Sequence, residues 1–477
     1  MMKAKVYTTP KLIGLFLGPI SFLLLFFLIP EAELSHAPRA VLAVTAWIAI
    51  WWITEAIPIP AASLMPLILL PIMGGLDIDS AAKAYGNPTV FMYMGGFIIA
   101  IAIEKWNLHK RIALYILKII GTESHRIVLG MILATAFLSM WISNAATALM
   151  MLPVALALIK EVKAKEILKG ESFHQFSKSI LLSVAYAASI GGLATLVGSV
   201  PNAVFAAMSR EMLDREIMFF EWFLFGFPIT VILLVILYFY LTKLQFKVEF
   251  ENGKETDFIK KDLKALGSMS TEEKWVGMVF LVTAFLWMFK FILPFAVSDT
   301  AIAIFGALLL FLIPSKKGER LLEWNDMKQL PWGLLLLFGG GLSLAEGFSA
   351  SKLTEWIGSK LNLLEAFPYL LIIIILTAAI LFMTEIMSNT AVSNMIIPIT
   401  VGLGLAIGVQ PYGLMAVAAL ASSCAFMLPI STPPNAAVFG ADVLKISDMV
   451  RAGFWMNIVC ILIIVLGVYF WLPVIIN

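Results

Sequence analysis

Apolar residues run through this chain in long stretches that short polar segments separate. A membrane-spanning helix needs about 20 consecutive, mostly apolar residues, and about eleven stretches approach or exceed that length. They cover residues 12–29, 40–58, 60–74, 90–104, 179–206, 222–242, 275–293, 299–314, 332–346, 411–440 and 452–473. The pattern therefore predicts an all-α polytopic membrane protein with about eleven transmembrane helices.

Two further apolar stretches, 127–158 and 370–405, are interrupted near their middle by a Ser-Asn pair and a proline. Proline removes a backbone donor and blocks the continuation of a helix. Irregular backbone at membrane depth is tolerated only where protein or a water-filled cavity covers it. Each stretch is therefore interpreted as two half-helices that form a re-entrant hairpin.

The two halves of the chain resemble each other around these breaks. Residues 143–153 (SNAATALMMLP) align without a gap with 388–398 (SNTAVSNMIIP), and the Pro-Asn-Ala of 201–203 recurs at 434–436. An odd number of crossings in each half would invert one repeat relative to the other. Inverted repeats with paired broken helices are typical of secondary transporters, whose substrate lies where the breaks meet.

The repeat and a charged segment between the halves divide the chain. We expect an N-terminal tail and first span at 1–39, a first repeat over 40–242, a connector on the cytoplasmic side over 243–274 and a second repeat over 275–477. Each repeat carries one of the two hairpins.

Composition and charge place the chain in a membrane. Hydrophobic residues make up 61% and charged residues 13%, against about 25% charged residues in soluble proteins. Lys and Arg concentrate in the N-terminal tail and in 105–126, 160–178, 243–274 and 315–320. The positive-inside rule puts these segments and the N-terminus in the cytoplasm. We therefore expect a multi-pass cell-membrane protein, surrounded by lipid, whose first span is retained rather than cleaved as a signal peptide.

The breaks carry the candidate chemistry. Ser143 and Asn144 in the first hairpin, and Ser388, Asn389 and Thr390 in the second, stand where helix N-caps are expected. The N-terminus of a half-helix offers free N–H groups and a positive dipole, which suit a carboxylate. Unwound segments offer carbonyl oxygens, which suit a small cation. These residues therefore predict a binding site for a small anion.

Two more breaks, at 198–202 and 431–435, contain prolines and could converge on the same cavity. Glu385 lies three residues before Ser388 in an apolar stretch. Carboxylates inside a membrane are costly and often functional, so Glu385 is singled out for a test.

At these motifs the chain resembles the divalent anion:sodium symporter (DASS) family, which includes bacterial di- and tricarboxylate carriers. The resemblance covers nearly the whole chain and rests on residues 51–58 (WWITEAIP), Ser143-Asn144, 388–390 (SNT) and 431–436 (STPPNA). It implies eleven spans with two hairpins, a homodimer, and a transport part that moves against a scaffold part in an elevator motion.

The resemblance also implies roles for individual residues. The substrate carboxylates would contact Ser143, Asn144, Asn389, Thr390 and Pro433. One sodium site would use Ser139, Ser143, Asn144 and the backbone near Gly198. The other would use Thr384, Asn389 and the backbone near Ser431. Sodium would be the coupling ion, with no prosthetic group.

The first site departs from the family pattern in two places. The family's first Ser-Asn-Thr ends in Ala145 here, and its Thr-Pro-Pro is Ser199-Val200-Pro201. Sodium symport and sodium-independent exchange therefore both stay open.

The favoured function is secondary transport of dicarboxylates such as succinate, malate, fumarate or 2-oxoglutarate. Citrate or sulfate is the alternative anion. A membrane-embedded enzyme would need a Ser–His, paired Asp or metal site at membrane depth, and the His residues show no such arrangement. Cys424 and Cys460 are too few for a disulfide framework or a zinc site, the sequence has no GxxxxGK[ST] loop for an ATP-driven pump, and no basic face suits nucleic acid. The sequence therefore predicts a transporter rather than an enzyme.

Overall fold

The computed structural model describes residues 8–121, 124–246, 258–316 and 318–476. Within these ranges the chain is helical, with one isolated bridge between Pro314 and Arg320, so the all-α prediction is confirmed. Ten of the described helices are long and apolar enough to cross a membrane. Shorter apolar helices cover most of the remaining predicted spans, at Ile59–Ile72, Arg126–Ser139, Asp299–Leu312, Tyr369–Thr384 and Tyr412–Ser422.

The helices follow one another with short connections. The first seven are α1 (Thr9–Leu28), α2 (His36–Thr54), α3 (Ile59–Ala62), α4 (Pro66–Ile72), α5 (Ile78–Lys83), α6 (Pro88–Lys105) and α7 (Leu108–Ile120). The first hairpin and the helices after it are α8 (Ser124–Ser139), α9 (Asn144–Ala164), α10 (Gly170–Gly191), α11 (Val200–Leu213) and α12 (Phe219–Phe239). Next come α13 (Phe258–Leu266), α14 (Thr271–Phe289), α15 (Asp299–Leu312), α16 (Trp332–Ala350) and α17 (Leu353–Leu361). The last six are α18 (Tyr369–Thr384), α19 (Asn389–Ala406), α20 (Tyr412–Ser422), α21 (Pro433–Phe439), α22 (Ile446–Leu466) and α23 (Leu472–Ile475).

The stretch 60–74 is two short helices, α3 and α4, instead of the single predicted span. Pro66 begins α4, where proline fits because the first helical residue needs no N–H partner. In the turn between the two helices, the Ser63 hydroxyl donates to the Ile59 carbonyl at 2.8 Å and accepts from Trp52 Nε1 at 3.2 Å. The tight turn therefore replaces a continuous helix.

Irregular backbone interrupts four of the apolar stretches that the sequence predicts, the two hairpins and two of the spans. Residues 140–143 separate α8 from α9, and residues 385–388 separate α18 from α19. The predicted spans 179–206 and 411–440 are broken as well. A 3-10 turn at Gly192–Ala194 and a second turn at 196–198 precede α11, and residues 423–432 separate α20 from α21.

Helices that follow a break in one half of the chain pack against the other half. Helix α11 packs against α19 and α20, and α21 packs against α9 and α10. Because α11 and α21 each pack against helices of the opposite half, the four breaks lie close together in the interior. The buried apolar side chains form a large cluster around these helices and a smaller one centred on α1, α2 and α4 with one face of α16.

Part of the segment 243–274, which the sequence predicts to be a connector, packs against the first half of the chain. Residues 247–257 lie outside the described part of the chain. Helix α13 packs against α7, and the buried Arg111 of α7 donates to the Glu273 carboxylate at 2.7 and 3.1 Å and to the Gly267 carbonyl at 3.0 Å. Mixed charge in the sequence gave no sign of this contact, because its partners lie more than 150 residues apart.

Candidate functional site

The four breaks line one cavity of about 800 Å³. The first hairpin contributes Ser143, Asn144 and Ala145, and the second contributes Met387, Ser388, Asn389 and Thr390. The two later breaks contribute Gly198, Ser199, Val200, Pro201, Ser431, Thr432, Pro433 and Pro434. The start of α1 and the end of α2 complete the cavity with Thr8, Pro10, Lys11, Trp52, Ile53, Thr54 and Glu55.

Among the described residues that line the cavity, only Lys11 and Glu55 are charged, and they form an exposed ion pair at 3.5 Å. The remaining polar lining consists of hydroxyl, amide and backbone groups. An anion in this cavity would therefore be held by neutral donors and helix N-termini.

The first hairpin tip is built by a helix N-cap. Ser143 caps α9, and its hydroxyl accepts the N–H of Ala146 at 3.4 Å. The first N–H groups of a helix have no partner within that helix, and the helix dipole is positive at this end. The tip therefore presents unsatisfied donors to the cavity.

Behind this tip, oxygen atoms gather around the Asn144 side chain. Ser139, which is fully buried, places its hydroxyl 2.8 Å from Asn144 Oδ1 and donates to the Ala188 carbonyl at 2.6 Å. With its nitrogen turned towards the same group, the Asn144 amide would donate to the Gly198 carbonyl at 3.1 Å and the Ala188 carbonyl at 3.0 Å. With Asn144 Oδ1 turned towards them instead, the Ser139 hydroxyl and the carbonyls of Ala188 and Gly198 form an all-oxygen cluster with it, which suits a hard cation.

The second tip repeats this arrangement. Ser388 caps α19 without a side-chain capping bond. Thr384 is fully buried, and its hydroxyl lies 2.8 Å from Asn389 Oδ1 and 3.0 Å from the Ser422 carbonyl. Thr384 and Asn389 stand five residues apart, as Ser139 and Asn144 do. The two tips therefore share the contact between a buried hydroxyl and the tip asparagine, and they differ in the capping bond, which only Ser143 makes among the described residues.

The two later breaks contact each other directly. The hydroxyls of Ser199 and Ser423 lie 2.7 Å apart, and the Tyr186 hydroxyl donates to the Phe426 carbonyl at 3.0 Å. These bonds join residues more than 220 positions apart in the chain. The sequence offered no signal for either of them, since isolated Ser and Tyr residues occur throughout the spans.

Glu385 is buried beside the second tip, with 3% of its surface exposed. Its carboxylate accepts the backbone N–H groups of Phe426 at 2.8 Å, Met427 at 3.0 Å and Leu428 at 3.2 Å. It also accepts Asn457 Nδ2 at 2.7 Å. Successive N–H groups of this kind form a nest that binds an anion, so Glu385 shapes the break between α20 and α21 from within the protein.

The predicted site residues lie close together, some in the lining of the cavity and some directly behind it. The residues that line the cavity itself are Ser143, Asn144, Gly198, Ser388, Asn389, Thr390, Ser431 and Pro433. Ser139 and Thr384 lie beneath the surface and reach the cavity through Asn144 and Asn389. Lys11 and Glu55 belong to the same cavity, although the sequence suggested no place for them in the site.

Paired broken helices that meet in one cavity are typical of secondary transporters. The chain belongs to the sodium:sulfate symporter family, whose transmembrane region matches residues 11–477. The resemblance to divalent anion:sodium symporters is thereby confirmed, and the protein is an integral membrane transporter and not an enzyme.

Several relatives match the chain over its whole length. The sodium-dependent dicarboxylate transporter SdcS of Staphylococcus saprophyticus is 45% identical over 98% of this chain and 93% of its own length. SdcS of Staphylococcus aureus is 43% identical over 100% of this chain and 94% of its own.

Two solved structures share the fold at low sequence identity. The YdaH transporter of Alcanivorax borkumensis superimposes with a TM-score of 0.61 at 12% identity, covering 92% of this chain and 98% of its own. MtrF of Neisseria gonorrhoeae gives 0.60 at 14% identity, covering 94% and 97%.

Proposed function

We propose that the protein is a sodium-coupled carrier of dicarboxylates such as succinate, malate, fumarate and 2-oxoglutarate. The observation that carries this proposal is that both Ser-Asn tips and both later breaks line one cavity whose polar surface is almost entirely neutral. The names of the two SdcS relatives, at 45% and 43% identity over the full chain, support the same substrate class and the same coupling ion.

A dicarboxylate suits two opposed tips because it carries one anionic group for each. Ser143 and Asn144 would bind one carboxylate at the start of α9. The second carboxylate would lie at the start of α19, bound by Ser388, Asn389 and Thr390, with Pro433 beside it. Hydrogen bonds from neutral donors and helix N-termini hold such an anion without a fixed Arg or Lys. Binding of this kind is distributed over many weak contacts, which also allows release.

The oxygen clusters behind the tips would hold the sodium ions. The first comprises Ser139, Ser143, Asn144 and the carbonyl of Gly198, and the second comprises Thr384, Asn389 and the segment at Ser431. Ala145 lines the cavity, but the oxygen atoms around the Asn144 amide belong to Ser139, Ala188 and Gly198. The hydroxyl that is missing at position 145 therefore leaves the first oxygen cluster intact, which favours sodium symport over sodium-independent exchange.

Transport would proceed by an elevator motion in a homodimer. Helices α1, α2 and α4, at the centre of the smaller apolar cluster, would stay in place while the hairpins and the breaks move with their cargo. With the N-terminus in the cytoplasm, the part of the cavity that Lys11 and Glu55 line lies on the cytoplasmic side. The structure would then represent the inward-facing state.

Uptake by purified protein in liposomes tests this function. We expect labelled succinate to accumulate when sodium is added outside, and to accumulate much less when potassium replaces sodium at equal ionic strength. Unlabelled malate and fumarate should compete, because they present two carboxylates at a similar spacing.

Three other outcomes separate the alternatives. Uptake that requires internal succinate and ignores sodium would assign the protein to exchange. Stronger competition by sulfate or citrate than by malate would assign another anion. No uptake in either mode, from liposomes shown to contain folded protein, would contradict the proposal.

A further inference from the structure

The Pro-Asn pairs of the repeat place one asparagine at the same point in each half. Asn202 is the third residue of α11, and Asn435 is the third residue of α21. Both side chains are fully buried, and neither lines the cavity. Neither can touch an anion that enters the cavity.

The side chain of each asparagine donates hydrogen bonds to oxygen atoms of the irregular segment before its own helix. Asn202 Nδ2 donates to the carbonyls of Thr195 at 2.8 Å and Gly192 at 2.9 Å. An amide nitrogen carries two protons, so Asn202 can bond the carbonyl at the start of the Gly192–Ala194 turn and the carbonyl directly after it at the same time.

Asn435 does the same in the second half. Three acceptors surround its Nδ2, which carries two protons: the Ser431 hydroxyl at 3.0 Å, the Leu428 carbonyl at 3.1 Å and the Ala425 carbonyl at 3.2 Å. The Ser431 hydroxyl in turn donates to the Leu428 carbonyl at 2.7 Å. The asparagine thus holds the residues from 425 to 431 in one compact loop.

The segment that Asn202 holds is a wall of the first oxygen cluster, and the segment that Asn435 holds would supply the Ser431 part of the second sodium site. A Cβ atom on Gly192 would lie 2.4 Å from Asn144 Oδ1 and 2.9 Å from the Gly198 carbonyl, so this glycine packs directly against the first cluster. In the second half, Asn435 bonds the side chain of Ser431, which lines the cavity. A shift of either segment would displace oxygen atoms of a cluster.

Packing alone does not account for the choice of asparagine. Among the described residues, none donates a hydrogen bond to the buried Oδ1 atom of Asn202 or of Asn435. An unpaired buried amide oxygen lowers stability, and the same defect occurs at equivalent positions of both halves. The feature that the two residues share is the donor group that holds the break.

We propose that Asn202 and Asn435 are positioning residues that set the spacing of the oxygen atoms in the two sodium sites. The inference rests on the proposed sodium coupling and goes beyond it, because it assigns the apparent sodium affinity to two residues that contact neither ion nor substrate. Each asparagine acts on the cluster of its own half.

Sodium activation of succinate uptake tests the inference with Asn202→Ala and Asn435→Ala. We expect each change to raise the sodium concentration for half-maximal uptake by about fivefold, the effect of losing one ordinary hydrogen bond. The KM for succinate at saturating sodium should change by less than about twofold, because the cavity lining is untouched. In purified protein without substrate, thermal stabilisation by sodium should shift to higher sodium concentration in parallel.

Asn87→Ala is the matched control. Asn87 is also buried, and it caps α6 by accepting the Thr89 N–H at 2.8 Å, but it does not line the cavity. It should lower thermal stability without changing the sodium dependence. Asn202→Ser and Asn435→Ser retain a hydroxyl donor and should give intermediate shifts, and they replace the alanine variants if those fail to fold.

Unchanged sodium dependence in the variants of both asparagines would overturn the inference while leaving sodium-driven transport in place. A shift of equal size in Asn87→Ala would overturn it too. Absence of sodium stimulation in the wild-type protein would instead refute the proposed function itself.

Discussion

Replacing Asn389 by alanine is expected to reduce sodium-driven succinate uptake by about 30- to 150-fold, which corresponds to about 2–3 kcal/mol. The side chain lies in the cavity lining, and its oxygen atom lies 2.8 Å from the buried Thr384 hydroxyl. In the proposed site, the substitution would remove a substrate donor and a sodium ligand together. Initial rates at fixed sodium, corrected for the amount of reconstituted protein, measure the loss.

Two buried threonines on α18 allow the proposed sodium-ligand role of Thr384 to be tested separately from the loss of a buried hydroxyl. Thr384→Val removes the hydroxyl that meets Asn389 and should raise the sodium requirement. Thr377→Val removes a hydroxyl that is equally buried but bonds only the Ile373 carbonyl of its own helix, and it should transport as wild type does. Wild-type uptake by Asn389→Ala, or equal losses in the two threonine variants, would contradict the assigned roles.

Replacing Glu385 by alanine is expected to lower stability by about 3 kcal/mol or more and to abolish uptake. The change leaves three backbone N–H groups and the Asn457 amide without their acceptor in a buried place. The segment between α20 and α21 should then lose its shape, together with the site at Ser431. Melting temperature and uptake of the same preparation measure both effects.

Two further variants define the cause. Glu385→Gln keeps the size of the side chain but points two N–H groups into a nest of donors, so we expect it to resemble alanine. Glu33→Gln breaks an exposed ion pair with Lys360 and should cost less than about 1 kcal/mol. A Glu385→Gln protein with wild-type stability and transport would show that the nest does not need the negative charge.

The breaks were predictable from the sequence because local chemistry determines them. Ser143 and Ser388 stand at the N-caps of α9 and α19, as the Ser-Asn pairs predicted, so these helix starts follow from a few neighbouring residues. The prolines of the two hairpins, Pro153 and Pro398, lie inside α9 and α19 and do not end them, so their part in the predicted interruption is wrong. Because the motif occurs in both halves of the chain, each break was indicated twice. The short helices α3 and α4 were harder to foresee, because Pro60 and Pro66 stand in a stretch that is apolar throughout.

The contacts between the breaks were not predictable in this way. The partners of Glu385 lie 41 to 72 residues along the chain, and Ser199 meets Ser423 across 224 residues. Such pairs depend on how α11 and α21 cross into the opposite half. A single sequence gives the residue types but not that crossing, so it predicted where the chain breaks and left open what holds each break in shape.

Simultaneous binding of one dicarboxylate by both hairpin tips is the central requirement of the proposed function. Ser143→Cys and Ser388→Cys, made singly, test it by reaction with a charged thiol reagent, since the native Cys424 and Cys460 are fully buried. Ser359→Cys, on the exposed face of α17, reports reactivity away from the cavity. We predict that sodium and succinate together slow the reaction at both tips and leave position 359 unchanged. Protection at one tip alone, or at neither, would contradict a shared site.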